Sequence, residues 1–237
     1  KTKFAAASLQ FGTSGTNPGE DTARAAEREL ERVFDARYFL EMEVSGQFNL
    51  GFILATHGRD LFIVDQHASD EKFNFERLQR DTVLSKQPFV VPQPLCLTAS
   101  EEITVLNHLD VFRRNGFDFA IDTSASAGTQ LRLAAVPVSH KTTFGVAEVQ
   151  ELVSMLQENP EQAADMRPSK VRAMLAMRAC RGSIMIGRGL DKPQMVRILT
   201  HLAGLKSPWN CPHGRPTMRH LADLSRVKIV TPEPLDD

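Results

Sequence analysis

No run of apolar residues in this 237-residue chain approaches the roughly 18 that a membrane-crossing helix needs. The longest, such as Leu131–Val136, are short and carry charge, so no membrane span is expected. Charge of one sign is lacking too. The chain has 28 Lys and Arg against 29 Asp and Glu, a formal net charge of −1. Such a chain does not bind nucleic acid through bulk charge; positive charge would have to be local, or a partner would have to help. Cysteine is sparse, at positions 96, 180 and 211 only. An odd count at wide spacing excludes a secreted disulfide framework and suits metal ligands or buried thiols in a reducing compartment. The start has neither an initiator methionine nor a signal peptide, so a piece of a longer chain is expected. What is present is ordinary for a globular protein: 42% apolar and 24% charged residues, enough to bury a core in one large domain or two small ones.

Residues 1–26 are rich in Ala, Gly, Ser and Thr and are read as a flexible linker. Order is expected from Arg24–Phe34, where Leu30, Val33 and Phe34 mark one helical face. Strands are expected at Tyr38–Val44, at Phe48–Thr56 (apolar on both faces, hence central) and at Leu61–Val64, with a turn at 57–60. A helix over 66–79 follows. Pro88, Pro92 and Pro94 are read as a break. A helix over 100–116, capped by Ser100 and ended by Gly116, should precede strands at 117–122 and 131–138 and a helix at 147–156. After a breaker zone at 160–168, helices are expected at 169–186, 193–202 and 218–224, the last after a loop at 208–216. The block 97–165, bracketed by prolines, looks like an insertion between two parts of one core.

Asp65-Gln66-His67-Ala68-Ser69-Asp70-Glu71 falls at a strand-to-helix junction. His67 and Glu71 are four apart, so a helix turns both to one side, where an imidazole and a carboxylate can hold one metal ion. Asp65 ends a strand, a usual place for a functional carboxylate. The same residues also suit a capping Asp, a packed His and an exposed Glu. Cys211-Pro212-His213 offers two soft ligands on a stiff loop, or a buried thiol beside an exposed imidazole. Cys180 lies on a helix that Arg172, Arg178, Arg181 and Arg188 make basic, with Arg215 and Arg219 beyond; such a run can hold phosphates or be a solvated face. If they converge, His67, Glu71, Cys180, Cys211 and His213, with Asp65, suffice for two metal ions sharing Glu71. Two ions roughly 3.5–4 Å apart are a known means of cutting phosphodiesters. A closed structural zinc has little use for two carboxylates.

Asp65-Gln66-His67-Ala68-x-x-Glu71-x-x-x-x-Glu76, Ala179-Cys180-Arg181 and Cys211-Pro212-His213-Gly214-Arg215-Pro216 resemble, in order, the three metal-binding motifs of the MutL mismatch-repair endonucleases. Residues 65–76 and Pro208-Trp209-Asn210 look like the eukaryotic PMS-type subunit. The resemblance covers about residues 28–225. It implies a mixed α+β fold in which a dimerisation subdomain of sheet plus helices, built from both chain ends (27–96 and 166–237), carries a smaller inserted regulatory subdomain (97–165). It implies a latent DNA-nicking endonuclease that dimerises with an MLH-type MutL subunit and works in the nucleus. His67, Glu71, Cys180, Cys211 and His213 are implied as ligands of two divalent ions (zinc as isolated, manganese able to support nicking), with Glu71 bridging. Asp65 is implied as a catalytic carboxylate beside Glu71, Gln66 and Glu76 as motif residues, and Arg181 and Arg215 as phosphate or supporting contacts. Gln93-Pro94-Leu95-Cys96-Leu97 resembles the family's sliding-clamp (PCNA) motif through Gln93, Leu95 and Leu97. The competing expectation is a dimerisation module with a purely structural zinc.

Overall fold

The computed structural model describes residues 32–139 and 141–226. In chain order the elements are β1 (Glu43–Phe48), β2 (Phe52–His57), β3 (Asp60–Asp65), α1 (Gln66–Asp81), β4 (Lys86–Pro94), α2 (Ala99–Asn107), α3 (Leu109–Arg114), β5 (Asp118–Ile121), β6 (Leu131–Pro137), α4 (Val146–Glu158), α5 (Ser169–Gly182), α6 (Lys192–Ala203) and β7 (Met218–Asp223). Short 3-10 turns lie at Ala36–Leu40, Pro160–Asp165 and Leu224–Arg226. The fold is mixed α+β, as expected. No helix among the described residues is long and apolar enough to cross a membrane. The chain divides into two compact units, one of residues up to Asn74 and from Cys180 onward, the other Phe75–Ala179. The division falls inside α1 and α5. The proline-bracketed block 97–165 lies within the second unit, which also takes in the end of α1, β4 and most of α5.

The first unit is built on an antiparallel sheet in the order β1-β2-β3-β7. One face supplies Val44, Ile53, Ala55, Phe62, Val64 and Met218 to a core closed by Met195, Ile198, Leu199 and Leu202 of α6, with Phe34 and Phe39. Each of the larger side chains among them stabilises the fold by about 1.5–3 kcal/mol relative to exposure. The other face is mixed: Glu43, Thr56, Asp65 and Arg219 lie on it around an apolar patch. Leu54 pairs with Ile63 and Phe48 with Phe52, beside Leu61; Phe48 is exposed and the others are half-buried.

Several expectations are corrected here. The strand expected over Tyr38–Val44 is a 3-10 turn followed by the start of β1, because the Asp35 carboxylate accepts from the Arg37 N–H (2.9 Å) and caps the turn. The single strand expected over Phe48–Thr56 is the β1–β2 hairpin. Asn49 and Leu50 both take positive φ (49° and 48°), and the Gly51 N–H closes onto the Phe48 carbonyl at 3.2 Å. Asn tolerates that conformation; Leu does not readily, and here the Leu50 carbonyl is held by the Gly187 N–H (2.8 Å) and Gln66 Nε2 (3.0 Å). The closing helix expected over Met218–Leu224 is strand β7, with Met218 and His220 buried and its partner β3 some 150 residues earlier. Of the helix expected over Arg24–Phe34, Arg32 and Val33 are helical and Phe34 lies just past. Its earlier residues, Leu30 included, and the 1–26 linker lie outside the described residues.

In the second unit an antiparallel sheet, β4-β6-β5, packs with the helices around Val105, Phe112, Leu131, Leu133, Val149, Leu152 and Leu175. The proline run read as a break is edge strand β4, whose pairing with β6 slips between Pro88 and Gln93; an edge tolerates residues with no N–H to give. The helix expected over 100–116 is two helices, parted at His108. Thr98, not Ser100, caps the first, in a capping box with Glu101. Gly116 ends the pair with φ +81°, where a Cβ would stand 2.9 Å from Pro137 Cα. The helix expected over 169–186 stops at Gly182, which leaves Ile184 in a loop. The helices expected at 66–79, 147–156 and 193–202 and the strands at 61–64, 117–122 and 131–138 agree to within two residues.

Buried Arg167 had no signal in the sequence reading. Its Nε and Nη2 donate to the Gln79 carbonyl (3.2 and 2.8 Å), Nη2 also to Thr82, and Nη1 to Arg114 O and Asn115 Oδ1. Burial and the neighbouring Arg114 push it down to about 10, so it stays charged at neutral pH.

Candidate metal centre

Strand β3 runs directly into α1. The Asp65 carboxylate at the junction accepts from the Ala68 N–H at 2.8 Å, the capping bond of a helix N-terminus. One turn on, His67 and Glu71 face the same side, 7% and 1% exposed. The last turn of α5 brings Cys180 to them. His67 Nε2 lies 3.6 Å from Cys180 Sγ and 3.8 Å from Glu71 Oε2.

The loop after α6 brings the rest. Cys211-Pro212-His213-Gly214 is a tight turn closed by the Gly214 N–H on the Cys211 carbonyl (2.9 Å), with Gly214 at φ +83°. Proline presets the φ of the turn's second position, and glycine takes the positive φ that follows. The Cys211 N–H donates to Arg215 O, and the Asp65 and Ser69 donors reach Thr217 O at 2.9 and 3.4 Å, which ties the loop to the β3–α1 junction. His213 Nδ1 thereby stands 2.5 Å from Glu71 Oε1.

Two three-ligand sets result, His67–Glu71–Cys180 and Glu71–Cys211–His213, with the ligand atoms of each within 4.8 Å of one another. Glu71 belongs to both, and turns one oxygen to each. Its carboxylate is almost fully buried, and the partners recorded for it in ion pairs are two imidazoles. A carboxylate buried this deeply needs hydrogen-bond partners or compensating positive charge, and these groups are placed so that they could hold a cation. Burial pushes the Cys211 thiol up; the Arg215 backbone contact opposes this, and the Glu71 carboxylate adds to the rise. The thiol therefore keeps its proton at neutral pH, and a cation binding there would have to displace it.

The other expected residues fall elsewhere. Asp65 is in neither set. It lines a cleft of about 190 Å³ together with Phe52, Ile63, Arg215 and Arg219. Gln66 is fully buried and acts as a bracket: its Nε2 donates to the carbonyls of Leu50, Met185 and Arg188 (3.0, 3.1 and 3.2 Å), and its Oε1 accepts from Gln47. Glu76 is half-buried, in neither set, in the part of α1 that belongs to the second unit. Arg181 and Arg215 are exposed. Gln93 is exposed at the end of β4, whereas Leu95 and Leu97 are buried in the second unit's core. Sequence reasoning missed the Ile184 carbonyl, 2.9 Å from His67 Nδ1. Backbone acceptors have no residue signature.

Residues 45–190 match the family described as the MutL C terminal dimerisation domain. The chain is 52% identical over 238 residues to "DNA mismatch repair protein PMS1" of Arabidopsis thaliana, covering 94% of this chain and 26% of that protein. It is 50% identical over 210 residues to "Mismatch repair endonuclease PMS2" of Homo sapiens (89% and 24%), and 50% over 191 residues to "DNA mismatch repair protein PMS1" of Saccharomyces cerevisiae (78% and 22%). The chain thus spans about a quarter of the length of the curated relatives it matches. A match over more than half of the chain is decisive for the family: this chain belongs to the MutL C-terminal dimerisation domains.

Proposed function

We propose that the chain is a metal-dependent DNA-nicking endonuclease domain of mismatch repair, latent until it pairs with an MLH-type MutL subunit. The observation that carries this reading is the sharing of Glu71 between two ligand sets. His67 and Cys180 hold one divalent ion with Glu71, and Cys211 and His213 hold the other. Zinc suits the soft ligands, and manganese suits the carboxylate that bridges them. Ions so placed supply an activated water and a stabilised leaving oxygen for phosphodiester hydrolysis. Asp65, on the cleft beside the site, serves as the second carboxylate. The exposed Arg181 and Arg215 orient DNA phosphates, local positive charge on a chain with none in excess. Chromosomal DNA as substrate implies a nuclear location.

The outer face of the first unit's sheet is the partner's docking surface: Phe48, Leu54 and Ile63 lie on it, within the residues matched to the dimerisation family. A sliding clamp would find Gln93 accessible, but Leu95 and Leu97 would have to leave the core. A closed structural zinc is the competing reading. It requires four protein ligands, and each set has three among the described residues, the count of a site with an open position. Glu71→Lys in the complex with the MutL partner should abolish manganese-dependent nicking of supercoiled plasmid and leave dimerisation intact. Undiminished nicking would overturn the assignment.

A further inference from the structure

We propose that Asp70 is a positioning residue. It holds the backbone at Ile184 so that the Ile184 carbonyl keeps the His67 proton on Nδ1 and leaves Nε2 bare for a cation. The inference rests on the metal-centre reading above and deepens it.

His67 and Asp70 are three apart on α1 and share a face. They grip the same residue from both sides. The Ile184 N–H donates to Asp70 Oδ2 at 2.9 Å, and the Ile184 carbonyl is 2.9 Å from His67 Nδ1. Ile184 lies two residues beyond the end of α5, so no helical bond sets its direction. Asn74 Nδ2 strengthens the grip, donating to Asp70 Oδ2 (3.3 Å) and to Ser183 Oγ (3.0 Å). Gln66 anchors the loop further on, at Met185 and Arg188. The carboxylate is the charged member, and charge-assisted bonds are about twice as strong as neutral ones.

The consequence falls on the other nitrogen of the same ring. With Nδ1–H donating to Ile184 O, the Nε2 lone pair faces Cys180 Sγ and Glu71 Oε2 at 3.6 and 3.8 Å. A free neutral imidazole prefers its proton on Nε2, the atom that must be bare here. The tautomer therefore has to be imposed, and a fixed carbonyl at Nδ1 is how proteins impose it.

The test is long-range ¹H–¹⁵N correlation of the histidine rings in the metal-free 237-residue chain, at a pH where the imidazole is neutral, with a parallel zinc titration. Wild type should carry the His67 proton on Nδ1. Asp70→Ala should move it to a mixture in which Nε2–H predominates, and should weaken zinc binding by about 10–100-fold. Asp70→Asn keeps an acceptor for the Ile184 N–H without the charge and should restore both in part. A wild-type proton on Nε2 overturns the proposal without any variant, and so does an Asp70→Ala chain whose tautomer is unchanged. If the wild type binds no zinc while its tautomer still follows Asp70, the metal-centre reading fails and the positioning role stands.

Discussion

Glu71 is a buried carboxylate whose two oxygens face two different ligand sets, and neither set offers a guanidinium or ammonium. Burial penalises such a carboxylate unless hydrogen bonds or positive charge compensate it, so a bound cation should stabilise the site. Cys211 adds a pH dependence of known sign. Its thiol is pushed up by burial, so each cation that binds must displace a proton. Zinc affinity at this set should rise with pH by about tenfold per unit for each proton released, and Cys211→Ser should flatten the slope; zinc titrations at several pH values measure it. Without metal the sign reverses. The folded chain holds a thiol proton that the unfolded chain releases, so this contribution is present at neutral pH and lost as pH rises through and above the ordinary thiol range. At this scale the sequence was informative where chemistry follows helical spacing: His67 and Glu71 are four apart, and the helix turns them together. Cys180 and Cys211 sit 113 and 144 positions from His67, and only the motif resemblance joined them beforehand. Ile184 acts through its backbone and Asp70 through that backbone, so side-chain patterns identified neither.

Among the elements, those with a clear period were legible: α4 and α6 bury helical stripes (Val149, Leu152, Val153 and Leu156; Met195, Ile198, Leu199 and Leu202), and β3 is a short apolar run. Several misreadings trace to a partner distant in sequence, whereas those at Tyr38–Val44 and 100–116 trace to local caps at Asp35 and Thr98. The 218–224 run reads equally as helix or strand until β3 pairs with it. The Phe48–Thr56 run reads as one strand until the Leu50 carbonyl finds Gln66 and Gly187. The β4 prolines signal a break unless the strand is known to be an edge. The hairpin also adds to the apolar patch on the outer face of the first sheet, where Leu54 and Ile63 pair. A guanidinium there cannot be desolvated against an apolar partner surface, so Leu54→Arg should weaken association with the MutL partner by at least tenfold while the fold is kept. Sedimentation of the mixed chains, with circular dichroism as the folding control, measures it; unchanged association would move the interface elsewhere.

The whole molecule joins a discontinuous unit, built from both ends of the described chain, to an internal one. The Asp65–Glu71 segment, Cys180 and the 211–213 turn all belong to the discontinuous unit, so each ligand set is assembled within one unit although the two sets span 113 and 142 positions. Near-zero net charge gives the chain no bulk attraction for a polyanion such as DNA. The central claim is that two cations share one carboxylate, and the most direct measurement is metal content by mass spectrometry on the chain in complex with its MutL partner. The account predicts two divalent ions per chain, one lost on Cys180→Ala, the other on Cys211→Ala, and both weakened on Glu71→Ala. A single ion indifferent to Glu71, or none, would contradict it.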